Sequence, residues 1–157
     1  MISLFGATDV LRIVTTSTAN LDITGTWVTN TEPVGFGPIR VTVSSATTTT
    51  LVTAPGTDLK KDVFKLTVRN RHASAANMVT LQIFDGTTAW EIGKFTLAAG
   101  EQAMFDGLNG WAYVSAQGLP KMSQSQGSSA ALIGATNVVV LAADVVNNNA
   151  VANSIAD

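Results

Sequence analysis

The chain has no cysteine and a single histidine, His72. Without thiols there is no disulfide framework and no thiol nucleophile, and one imidazole is little from which to build a transition-metal site. Charge is scarce too. Asp, Glu, Lys and Arg make up 13% of the 157 residues, about half of the roughly 25% usual in soluble domains. A net charge of −2 offers no broad attraction to nucleic acid or to an anionic membrane, so neither is expected as a partner. These absences disfavour most enzymes, and no cofactor or metal is expected. Long apolar runs are missing as well. The most apolar stretch, residues 130–143 (AALIGATNVVVLAA), is shorter than the roughly 18 residues of a membrane span and contains Thr136 and Asn137. The opening MISLFGATDVLRIV has no basic stretch ahead of its apolar residues and does not read as a secretory signal.

What fills the gap is threonine, with 21 residues, in short alternating stretches. Residues 63–69 place Phe64, Leu66 and Val68 on one side and Lys65, Thr67 and Arg69 on the other, the period of a half-buried strand. Residues 78–84 repeat the pattern with Val79, Leu81 and Ile83. Asp85-Gly86 follows, and the spacing predicts a two-residue hairpin turn there. In the return strand Trp90 and Ile92 share one parity and Phe95 and Leu97 the other. A β-bulge at Gly93 would turn all four inward. Residues 102–105 and 111–115 form a further pair around Asp106-Gly107-Leu108-Asn109-Gly110, with Trp111 and Tyr113 inward. The spacing Phe-Asp-Gly…Trp occurs twice, 21 residues apart, and is explained by convergent hairpin chemistry.

Upstream, residues 10–15, 21–29, 39–43 and 48–52 read as strands, and the Pro and Gly residues of 31–38 predict a loop. Eight to ten short strands with turns every 8–12 residues imply an all-β fold, an antiparallel β-sandwich or jelly-roll-like domain over 1–118. Residues 119–130 have linker composition, and 131–157 form an extended C-terminal segment.

Residues 45–118 resemble a domain of tailed-bacteriophage structural proteins. The likeness rests on ordered features: TTTTLVTAPGTD, then KLTVRNRHASAANMVTLQI, KFTLAAGEQAMF and LNGWAYVSAQGLPK. LRIVTTSTANLDITGTWV, within residues 1–44, resembles the N-terminal lead of such proteins. The run ATNVVVLAADVVNNNAVANSIAD resembles the opening of a further β-domain, which implies a longer fibre- or spike-like protein; a C-terminal extension docked on a neighbouring subunit is the other reading. The resemblance implies a non-enzymatic virion protein attached to capsid, neck or tail. It also implies a homo-oligomer, with a trimer expected by analogy with phage spikes, and other virion proteins as partners.

Candidate contacts follow. Five bases fall between Lys60 and Arg71, and Lys61, Lys65 and Arg69 share one parity. With Arg71 they form either a solvated, aggregation-blocking face or a patch for an acidic neighbour. Val138, Val139, Val140 and Leu141 are apolar enough to pack on a partner. If the protein is instead a carbohydrate-binding β-sandwich that recognises a host receptor, Trp27 is the candidate glycan contact. His72, beside Arg71 and with no acid near it in sequence, reads as a solvated loop residue, and Asp85 and Asp106 as turn formers.

Overall fold

The computed structural model describes residues 1–16, 20–30, 34–57 and 59–121. Their order is β1 (Ile2–Leu4), β2 (Val10–Thr15), β3 (Leu21–Thr29), β4 (Phe36–Val43), β5 (Thr48–Val52), β6 (Lys61–Asn70), β7 (Asn77–Phe84), β8 (Ala89–Leu97), β9 (Gln102–Asp106), β10 (Gly110–Val114) and β11 (Pro120–Lys121). No helix occurs among the described residues. Two antiparallel sheets pack face to face, as the alternation implies. One has the order β11-β10-β9-β6-β3-β4, with β1 also on β6, and the other β5-β2-β7-β8.

Inward positions recur every second residue because a strand turns alternate side chains to opposite faces. Leu11 and Ile13 on β2, Leu21 and Ile23 on β3, Leu66 and Val68 on β6, and Val79 and Leu81 on β7 are all fully buried. A tilted aromatic group closes one side. Phe95 lies 5.2 Å from Trp111 and 5.9 Å from Tyr113, and Phe105 lies 5.2 Å from Trp111. Trp111 and Tyr113 therefore face inward as expected, half-buried against the core.

Several sequence expectations need correction. In β6, Thr26 pairs with Lys65 but Trp27 pairs with Val63, which leaves Phe64 as the extra residue of a bulge. Phe64 is exposed and Val63 takes the inward position. The same shift of parity carries Lys61 inward. Gly25 makes the bulge possible, because a Cβ there would lie 2.2 Å from the Lys65 carbonyl oxygen.

In β8 the bulge is present, with Leu81 opposite Gly93 and Gln82 opposite Glu91. It puts Trp90 and Phe95 on one face, opposite Ile83 and Val79, yet Trp90 and the bulged Ile92 remain exposed because they lie on a sheet edge near the strand's start. The Asp85-Gly86 hairpin has a four-residue connection. Phe84 pairs with Ala89, the Asp85 carboxylate accepts from Thr87 N and Thr88 N, and Gly86 has φ +101°.

Finally, β4 begins at Phe36, so Gly37 and Pro38 lie in an edge strand. Pro is tolerated there because an edge has a side with no ladder bond to lose. The β10–β11 pairing carries the domain through Lys121, past the expected boundary at 118. The remaining linker and the run Val138, Val139, Val140 and Leu141 lie outside the described residues.

Candidate functional site

Strand β6 is central in the larger sheet, and its outward residues are framed by neighbours on both sides. Lys65 sits between Thr26 and Asp106, Thr67 between Thr24 and Met104, and Arg69 between Asp22 and Gln102. Arg71, just beyond the strand, bridges Asp22 at 3.2 Å, and Thr42 Oγ1 donates to the same carboxylate at 3.1 Å. Lys65, Arg69 and Arg71 are exposed together, as the sequence implied. Their positive charge is met in place by Asp22 and Asp106, each three strand connections away along the chain. Exposed pairs of this kind contribute little to stability. They set the pattern of a flat, threonine-rich face.

Lys61 does not belong to that face. Its ammonium donates to Thr53 O at 2.9 Å, to Thr53 Oγ1 at 3.1 Å and to Ala54 O at 3.1 Å. It also lies 4.6 Å from the Trp27 ring centroid. Burial of the cation pulls its pKa below the ordinary lysine value. Lys60, by contrast, pairs with Asp62 at 3.1 Å and lies 4.9 Å from the Phe5 ring.

Trp27 is inward too. It faces Gly37 across the β3–β4 ladder, and a Cβ on Gly37 would come within 2.5 Å of Cζ2. The indole thus covers a glycine on an edge strand and is approached by Lys61. This packing leaves Trp27 partly buried.

Asp106, Asp85, Glu101 and His72 hold turns. The Asp106 carboxylate accepts from Leu108 N at 2.9 Å and from Asn109 N at 3.4 Å. The Leu108 amide above all, with Asn109 and the Lys65 charge, holds its pKa low. Asp85 is lowered in the same way by the amides of Thr88 and Thr87. Glu101 is lowered chiefly by Lys121 and also by the Ala98 amide. His72 Nδ1 accepts from Ser74 N at 3.2 Å and Ala75 N at 2.9 Å, so it shapes its own loop. Among the described residues no group of three or more His, Asp or Glu side chains is placed to hold a metal ion.

Sequence reasoning missed Asn70 and Asn77, both fully buried. Asn70 Nδ2 reaches the carbonyls of Ala75, Leu97 and Ala98 at 2.8–3.1 Å, and its Oδ1 accepts from His72 N and from Asn77 Nδ2, both at 2.9 Å. One amide thereby ties the end of β6 to both strands of the β7–β8 hairpin. A polar residue at a strand end carries no pattern that would reveal this. No family model, curated protein or solved structure matches the chain.

Proposed function

We propose that this protein is a non-enzymatic structural module of a tailed-phage virion, self-associating and attached to capsid, neck or tail. The observation that carries the reading is the fate of the reactive side chains. His72, Asp85 and Asp106 hold turns, Lys61 caps carbonyls inside the sandwich, and Lys65, Arg69 and Arg71 face acids on adjacent strands. Such a surface is suited to packing against protein. The resemblance of residues 45–118 to phage structural proteins supplies the context, and those residues include β5 to β10.

The test is physical association. Purified protein should co-sediment with empty heads or with tails, and its peptides should appear in mass spectra of washed particles at a fixed ratio to the major virion proteins. Absence from particles, together with failure to bind either assembly intermediate, would overturn the reading.

A further inference from the structure

The exposed apolar side chains are unevenly distributed along the sandwich. The Asn70–Asn77 contact joins the two sheets at one end. The first residues of β6 and the β7–β8 hairpin therefore share the other. Leu4 and Thr29 both pair with Lys61, Phe36 pairs with Val28, and Gly107 N donates to Phe64 O at 2.7 Å. These registers bring Phe5, Val34, Phe36, Phe64, Trp90 and Leu108 to this second end. They are six of the eleven large hydrophobic side chains exposed among the described residues, with Phe36 81% and Leu108 93% exposed.

Much of the charge on the described residues of this end is engaged within the chain. Lys60 pairs with Asp62, Lys61 is buried, Asp9 accepts from Phe5 N and Gly6 N, and Asp85 and Asp106 cap turns. Among the described residues the cations Lys60, Lys61 and the Met1 ammonium each have a partner within the chain, the last donating to Gly107 O at 2.8 Å. Lateral growth of the sheets is obstructed as well. Strand β4 carries Pro38, β5 has a bulge at Leu51 and β8 one at Ile92, and β11 has two residues.

We propose that this apolar end is an interface between copies of this chain. The six side chains expose on the order of 800 Å², taking the roughly 150–250 Å² of a large aromatic side chain as a guide. A standard interface buries roughly 800 Å² per partner. A second copy presents the same exposed apolar side chains. The inference rests on the reading of the chain as an assembling structural module, and names the surface through which it assembles.

The experiment is sedimentation velocity of the full chain across micromolar concentrations, with Leu108→Asp, Phe36→Asp and the double variant. Wild type should be oligomeric, and the double variant should dissociate with a constant raised at least about tenfold, roughly 1.4 kcal/mol. Met104→Lys, exposed on the outer sheet face, should leave the oligomer unchanged. A monomeric wild type, or an oligomer that survives both aspartates, overturns the proposal. Leu108 is at a loop tip, so Leu108→Asp alone carries the test if Phe36→Asp disturbs folding. A monomer that still binds particles would sink this interface and the self-association, and spare the reading as a virion-attached module. An intact oligomer that binds no particle would do the reverse.

Discussion

Asn77 Nδ2 donates to Asn70 Oδ1 at 2.9 Å inside the protein, joining a strand of one sheet to a strand of the other. The Asn70 amide nitrogen has two hydrogens for three carbonyl acceptors, so its bonds are shared and its position is fixed from several sides. Asn70→Ala would leave buried carbonyls and an amide without this partner. Each such group costs about 1–3 kcal/mol, and the network should lose about 2–4 kcal/mol in all. A urea midpoint unchanged from wild type would refute this assignment.

Acid should destabilise the protein through Glu101, Asp85 and Asp106. Their folded pKa values lie below the ordinary carboxylate range. Each therefore contributes stability that is present above its unfolded pKa and is lost as pH falls through the folded one. Thermal melts should show stability declining from about pH 5 downward. Asp85→Asn with Asp106→Asn keeps an acceptor oxygen at each turn and should flatten that decline. Melting curves equally steep in acid for the double variant and wild type would exclude the carboxylates as its cause.

Gly86 has φ +101°, and a Cβ there would touch only Thr8, at 3.9 Å. The space is open, so any penalty for a side chain comes from the backbone. Gly86→Val should cost at least about 1 kcal/mol, because a β-branched residue is strongly disfavoured at positive φ. The melting temperature should fall accordingly, and an unchanged value would show that the turn can rearrange without cost.

Lys61→Met preserves most of the apolar stem and removes the ammonium from three oxygen acceptors. A loss of about 1–3 kcal/mol is expected from the carbonyls left behind, with a change in Trp27 emission as the nearby charge disappears. Lys65→Met, on the exposed face, should shift stability by less than about 0.5 kcal/mol. Equal effects in the two variants would contradict the inward placement of Lys61.

Periodicity made the sandwich legible: Val79, Leu81, Leu66 and Val68 could be assigned an inward face because alternation reports burial directly. A bulge breaks that logic, since one inserted residue exchanges the two faces beyond it. In β8 the hydrophobic parity itself slips near Gly93, so the irregularity was visible. In β6, Phe64 continues the apolar alternation of Leu66 and Val68 and conceals the shift to Val63. That concealment placed Lys61 outside when it is inside. The frame of acids around Lys65 and Arg69 was equally illegible, because Asp22 and Asp106 reach it from strands far away in sequence.

The position of β6 also bears on how the chain comes to be folded. Its neighbours are β3 on one side and β9 with β1 on the other, so the larger sheet joins segments from nearly the whole described chain. Such long-range pairings must meet the entropy of closing large loops before they are rewarded, which places folding on the slower, millisecond-to-second scale typical of β-sandwiches. During synthesis, β6 can find β3 early but keeps an open side until residues 102–106 emerge. Nascent chains halted before that point would carry an unsatisfied central strand, and the sandwich becomes complete only when its last strands leave the ribosome.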